Sequence, residues 1–537
     1  MNGSLVGPGI AALQGVVLHL GYFIHGEHHT EAFTIFKLLF VVPPLTVVAL
    51  VYALHFSVHD AIVNVAIWWG SFAGALYTSM FVYRGLFHRL RRFPGPPLAK
   101  YSKLYHVTQI LKKNNDKVIR KWHDKYGSYV RIGPMELSIT DPDAVNKIYG
   151  PGSKCIKGPW YDGTLPMTSV HQTRSKAVHD RRRKAWDRGF SAQSLRNYEP
   201  RVAKYTDDLA KQIKKFSGGP VNASKWFNYY SFDVMGDLAF AEPFNMLKDG
   251  KTHWAIGLLN EGQGGLGLLG PTDWLFAILV NTPVVNAGFK RFVAFADQQI
   301  TNRAKLKPEL PDISTWLLQA EPISSDPLIN RLFTTGDSRL IIVAGSDTTA
   351  AALTYVFYHL ARDPTHVDII RKELQQVSGL SNNDLKDLPH LSGVINEALR
   401  LHPAVPSGLQ RQTPAEGLQV GDHFIPGSVN VLIPAAVIGR SPECFVHPDE
   451  FLPERWYSKP ELIKRKEAFF PFSLGSYACI GKQLALMEVR SVVAKLVTEF
   501  DVGMAPGEDG SKLINETKDI FTLELADLFL SFKPRQG

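Results

Sequence analysis

The chain has 537 residues, a formal charge of +9, and a composition that is 45% hydrophobic and 20% charged, and its length excludes a single average domain. Lys and Arg are spread along the chain among Asp and Glu, which argues against nucleic acid and for a basic face toward a membrane or an acidic protein. Three cysteines, Cys155, Cys444 and Cys479, are too few and too scattered for a disulfide framework, and no CxxC or Cys/His motif marks a zinc site.

Three apolar stretches open the chain, near residues 9–24, 33–56 and 63–83, each close to the ~20 residues that cross a bilayer as helix. The first is short and contains His19, and the second carries Lys37 and Pro43-Pro44, so two and three spans both remain open. A cleaved signal peptide does not fit, because no basic region precedes the first stretch. Arg84, His88, Arg89, Arg91 and Arg92 follow the third, and by the positive-inside rule they hold the rest of the chain on the cytosolic side. Residues 1–93 thus read as a membrane anchor with two to three transmembrane helices. Phe93-Pro94-Gly95-Pro96-Pro97 breaks the helix and makes residues 94–100 a stiff hinge.

No linker or repeat divides residues 101–537, so they form one large unit. Amphipathic runs near 203–216, 339–362 and 384–401, with short strand-like pieces at 129–132, 424–426 and 429–433, predict a mainly α fold with small β-sheets.

Several motifs in this unit carry chemistry. His179-Asp180-Arg181-Arg182-Arg183-Lys184 is a cation-rich run whose plain reading is a solvated helix face. Ala344-Gly345-Ser346-Asp347-Thr348-Thr349 lies inside an apolar helical run, where a glycine costs ~1 kcal/mol against alanine and so has a packing or functional reason. Ala344, Gly345 and Thr348 share one helix face, with a hydroxyl beside two small residues. The plain reading of Thr348 is a bond back to its own helix. Glu397 and Arg400 stand i and i+3, upstream of Pro453-Glu454-Arg455-Trp456. Last comes Phe472-Ser473-Leu474-Gly475-Ser476-Tyr477-Ala478-Cys479-Ile480-Gly481, followed by a helical run. A cysteine at a helix N-terminus is expected to have a lowered pKa, with Gly475 and Gly481 letting the backbone turn tightly beside a flat group. The plain reading of Cys479 is an ordinary buried thiol.

The last segment resembles the cysteine-ligand loop of cytochromes P-450, Phe-x-x-Gly-x-Arg-x-Cys-x-Gly. The other motifs resemble that superfamily's Ala-Gly-x-Asp-Thr-Thr, Glu-x-x-Arg and Pro-Glu-Arg elements, in the same order over about residues 94–533. The resemblance implies a P-450 fold behind N-terminal transmembrane helices, with haem b (iron protoporphyrin IX) held by Cys479 as the axial ligand within a loop framed by Phe472, Gly475 and Gly481. It gives Asp347 and Thr348 the role of an acid–alcohol pair that supplies protons for oxygen activation, beside Ala344 and Gly345. Glu397, Arg400 and Arg455 become a structural ion triad, and His179, Arg183 and Arg411 become contacts for the haem propionates. Tyr477 departs from the pattern, standing where Arg or His usually binds a propionate, although its hydroxyl still donates to a carboxylate.

By the same resemblance, the chain is a fungal microsomal monooxygenase in the endoplasmic reticulum membrane, with its catalytic domain, residues 101–537, in the cytosol. It inserts one oxygen atom from O2 into a lipophilic small molecule in secondary metabolism. NADPH serves indirectly, through NADPH-cytochrome P-450 reductase, with cytochrome b5 as a second candidate partner. Two other readings stand beside this one. An isomerase or dehydratase of the same fold that uses no O2 usually lacks the acid–alcohol pair. A non-catalytic membrane haem or electron-carrier protein needs no oxygen relay and no substrate pocket. Segments 161–170, 262–280 and 404–409, the Ile341 region and residues 520–522 are the expected substrate contacts; most are apolar or small.

Overall fold

The computed structural model describes residues 7–282 and 286–535. Helix α1, Pro8–Leu18, continues through a π-helical turn at His19–Phe23 and is followed by α2, Ala32–Ala53, and α3, Val58–Val82. Helices α2 and α3 are long and apolar enough to cross a membrane; α1 with its π turn is apolar but shorter. Pro43 and Pro44 sit inside α2 without ending it, and Thr46 donates to the Val42 carbonyl at 2.8 Å. Helix α1 lies on α3 at a close approach, since a Cβ on Gly15 would stand 2.3 Å from the Phe72 carbonyl oxygen. Such small-residue contacts are how apolar helices associate without a hydrophobic driving force. His19 adds a bond from Nδ1 to Ser79 Oγ at 2.7 Å.

The proline-rich segment is fastened to the domain that follows. The Pro94 carbonyl accepts the Arg131 N–H at 2.7 Å, and Gly95 touches the same strand so closely that no Cβ fits. Arg89 and Arg92 of the basic cluster donate to the carbonyls of Ser428 and Phe424.

The large unit is helical, built around one 36-residue helix. Its principal helices are α4, Lys176–Gly189; α5, Ala192–Lys214; α6, Ala223–Phe240; α7, Trp254–Leu269; α8, Asp273–Val280; α9, Ala287–Lys305; α10, Pro327–Arg362; α11, Pro389–Leu401; and α12, Lys482–Glu499. By length and hydropathy α10 would also suit a membrane span, but most of it is buried in protein, packed along α6, α9, α11 and α12. The predicted run at 384–401 is divided. A short helix, Asn382–Leu385, precedes α11, which restarts at Pro389, where a missing N–H costs nothing at the first helical position.

Five strands form the larger sheet: β1, Tyr129–Gly133; β2, Glu136–Ile139; β3, Ile156–Lys157; β4, Arg411–Gln412; and β5, Asn430–Leu432, in the order β1-β2-β5-β4-β3. Only β2 and β5 pair in parallel. The antiparallel pairing of β3 with β4 sets Lys157 directly across from Arg411. A second sheet joins Phe500–Met504 and Pro220–Asn222 to the two sides of Phe529–Pro534.

Candidate active site

Helix α10 and the loop before α12 face each other across a cavity of 380 Å3, with Ala344, Gly345 and Thr348 on one wall and Phe472, Tyr477 and Cys479 on the other. The loop owes its path to Gly475, whose φ of +62° favours glycine and whose Cβ would lie 2.6 Å from the Tyr149 carbonyl oxygen. The Cys479 N–H closes the turn on the Phe472 carbonyl at 2.8 Å. The Cys479 side chain has accessible surface, yet it lies deep in the molecule, because that surface opens into the cavity.

Two expectations for this loop need correction. Burial pushes the Cys479 thiol up; the N–H groups of Gly481 and Lys482 and the charges of Arg183 and Lys482 oppose the shift without reversing it. Desolvation therefore outweighs the helix start. Gly481 has an ordinary φ of −79°, and a Cβ there would stand 3.9 Å from Cys479 Sγ, so this glycine leaves room beside the sulfur and makes no special turn.

On the opposite wall, Thr348 Oγ1 donates to the Ala344 carbonyl of its own helix at 2.8 Å. Asp347 points toward α6 and α7, where Asn228 and Gln263 donate to it at 3.5 and 3.3 Å, and burial raises its carboxyl to about 6. Gln263 lines the cavity and accepts from Thr522 at 3.3 Å, which joins three distant segments. At Gly345, a Cβ would fall 2.7 Å from Met235, so the glycine lets α6 approach.

Cationic and phenolic side chains gather at one edge of the cavity. Arg411 is 2% exposed; its Nη1 donates to Tyr161 Oη at 3.0 Å and to the Gln410 carbonyl at 2.9 Å, while its Nε is buried without a partner. Tyr477 packs under two cations, its ring centroid 4.8 Å from Lys157 Nζ and 5.0 Å from Arg411 Cζ. Arg183 donates to the Ala478 carbonyl at 2.8 Å, next to the cysteine, and to Asp187 at 2.9 Å. His179 Nδ1 is bonded to Asp180 at 2.9 Å, and burial lowers it to about 4, so it is a neutral ring at this edge and not a cation.

Two residues here escaped the sequence reading. Lys157 is buried and donates to the Val170 carbonyl at 2.9 Å, with burial and the Arg411 charge holding its pKa well below that of a free lysine. Its strand inverts the usual pattern, Ile156 exposed and Lys157 buried, so no periodicity pointed to it. Glu488 on α12 also reaches the cavity, with Oε2 unpaired and burial pushing the carboxyl well above its usual range.

The Glu397 cluster is saturated. Glu397 accepts from Arg400 at 2.7 and 2.9 Å, from Arg455 at 2.9 Å and from Trp456 Nε1 at 3.0 Å. The remaining guanidinium donors reach the carbonyls of Gly439 and Pro448 at 2.6 Å, and of Val446 and Leu462 at 3.0 Å. Elsewhere, His366 and His390 come within ligand range of Glu454, but the two rings are bonded to each other at 3.2 Å and are satisfied without an ion.

The chemistry of the main cavity suits a haem. A sulfur faces small residues across the space, and a buried guanidinium nitrogen awaits an acceptor at one edge. The cytochrome P450 family model matches residues 94–528. The chain is 42% identical to the cytochrome P450 monooxygenase notG' of Aspergillus versicolor, over 96% of this chain and 95% of the relative. It is 39% identical to tryprostatin B 6-hydroxylase of Aspergillus fumigatus, over 96% and 94%, and 39% identical to the cytochrome P450 monooxygenase FCK2 of Fusarium pseudograminearum, over 97% and 96%. With the fold, the cysteine loop and these relatives in agreement, the chain belongs to the cytochrome P450 family and is a haem-binding oxidoreductase of the monooxygenase class.

Proposed function

We propose that this protein is a membrane-anchored haem-thiolate hydroxylase of lipophilic secondary metabolites. The observation that carries the reading is Cys479 Sγ opening into the cavity across from Ala344, Gly345 and Thr348. Bound through the Cys479 thiolate, haem b supplies the redox chemistry that activates O2, and thiolate donation favours O–O cleavage. The rest is the work of side chains. The N–H groups of Gly481 and Lys482 stabilise the anionic sulfur. Arg411, Arg183, Lys157 and Tyr477 hold the two propionates, with the free Arg411 Nε as a ready donor. Ala344 leaves room for O2 across the cavity from the sulfur, while Gly345 lets α6 pack close behind that wall. Thr348 turns its hydroxyl from the Ala344 carbonyl into the cavity, and Asp347, with its carboxyl near 6, passes protons inward past Gln263.

Residues from each expected substrate segment, among them Tyr161, Leu266, Ile341, Val405 and Ile520, line a mostly apolar space that favours a bulky lipophilic molecule. The tryprostatin B 6-hydroxylase among the relatives makes tryprostatin B a first substrate to test. Residues 1–93 serve as the anchor, 94–100 as the hinge and 101–537 as the catalytic domain on the cytosolic face of the endoplasmic reticulum. Electrons come from NADPH-cytochrome P-450 reductase, with cytochrome b5 as a second donor.

A carbon monoxide difference spectrum of reduced membranes tests the core of this reading. A strongly red-shifted Soret band is expected in the wild type and its loss in Cys479→Ala. A band that survives the substitution overturns the ligand assignment. Turnover under labelled O2 with NADPH and reductase then reads whether a tryprostatin-like substrate gains one labelled oxygen atom.

A further inference from the structure

The segment joining α1 to α2 is fastened to the rim of the cavity. Glu27 accepts from both terminal nitrogens of Arg174, at 2.6 and 2.9 Å, and from the Gln412 amide at 2.6 Å. His29 is bonded to Asp162 at 3.0 Å, and Arg174 reaches the same carboxylate at 2.7 Å. Asp162 ends the 3-10 turn Pro159–Asp162, whose Trp160 and Tyr161 line the cavity, and Gln412 follows Arg411 on β4. Five side chains from four distant segments thus form one charge-assisted network, in which His29, Asp162 and Arg174 are largely screened from water and Glu27 stands at the exposed edge.

A small second cavity of 90 Å3 lies beneath this network, bounded by His29 and Thr30 on the anchor side and by Asp273 and Phe276 of α8. Trp160, Gly163 and Phe276 line both this space and the main cavity, so they form the partition between them. The Phe276 ring closes on Gly163 so tightly that a Cβ there would lie 2.9 Å away. Asp273 Oδ1 is buried beside the small cavity without a partner. Helix α2 packs against α8, an apolar helix with Trp274 exposed. Two later crossings, α2 and α3, would return the chain to the side on which the 24–31 loop lies, so its contact with the catalytic domain agrees with a spanning anchor.

We propose that residues 24–31 are a latch on a membrane-side entrance: by holding Arg174 and Asp162, Glu27 and His29 keep the Trp160–Gly163 turn closed on Phe276 and set how fast bulky lipophilic molecules pass from the bilayer to the cavity. The proposal rests on the reading of residues 1–93 as a membrane anchor. The latch makes passage selective by size, because a small polar molecule does not need the partition to open.

The test uses full-length, haem-loaded protein in phosphatidylcholine nanodiscs and follows the Soret shift in stopped flow with two probes, clotrimazole and imidazole. For Glu27→Gln combined with His29→Ala, the association and dissociation rates of clotrimazole are expected to rise together by about threefold or more, as for an opened gate, while those of imidazole stay put. His25→Ala, at an exposed position of the same segment outside the network, is expected to leave clotrimazole at wild-type rates, which separates the pairing from general loosening. Unchanged clotrimazole rates in the open variant, equal acceleration of both probes, or the same acceleration in His25→Ala each overturns the latch. Alkaline carbonate extraction reads the anchor separately: retention in the membrane with unchanged clotrimazole rates ends the latch and leaves the anchor standing, whereas release from the membrane removes the basis of both.

Discussion

The Glu397 cluster and the wall around Asp347 both bury polar side chains, and they treat them in opposite ways. Glu397 has four side-chain donors within 3.0 Å, and the two arginines it holds spend their other donors on backbone carbonyls. Asp347 has two long partners at 3.3 and 3.5 Å, Thr348 is tied only to its own helix, and Arg411 Nε and Glu488 Oε2 have none. A saturated cluster has one arrangement and holds the fold, whereas an unsaturated wall keeps hydrogen-bonding capacity for what enters the cavity.

The largest effect should come from breaking the saturated side. Glu397→Ala leaves two buried guanidiniums uncompensated and is expected to cost ~3–5 kcal/mol, read as a collapse of haem content and of the denaturation midpoint. Asp347 probes the other side through pH. Its carboxyl rises from a usual value of 3.8 to about 6 in the fold, so its stabilisation is intact below about pH 4 and is lost as pH rises through 6. The wild type is therefore expected to lose ~3 kcal/mol relative to Asp347→Asn across that window, measured as paired denaturant curves. Thr348→Val should lower product formation on the order of 100-fold with little change in unfolding midpoint, which would place it with the working wall. The two loop glycines give the smallest and sharpest contrast. Gly475→Ala meets a positive φ and a backbone oxygen and is expected to cost ~1–3 kcal/mol, while Gly481→Ala should stay within ~0.5 kcal/mol in the same assay.

What was legible in the sequence is what lies close together along it. Phe472 to Gly481, Ala344 to Thr349 and Glu397 with Arg400 are each within ten residues of one another, so their residue types and spacing state a local geometry. The mainly helical class followed from the same short-range periodicity. Lys157 and Glu488 reach the cavity only through strand pairing and helix packing, and nothing in their neighbours marks them. The Glu27 to Arg174 contact spans 147 residues and two apolar helices, beyond any local rule. Thr348 shows the reverse case, where the plain helical bond and the chemical position coexist in one residue.

The pairing of β3 with β4 has a consequence at the cavity edge. It holds two like-charged side chains, Lys157 and Arg411, on facing rungs of one ladder, an arrangement that repels. A dianionic group seated at this edge would relieve that repulsion, so the same two rungs that strain the ladder when empty would become its clasp when filled.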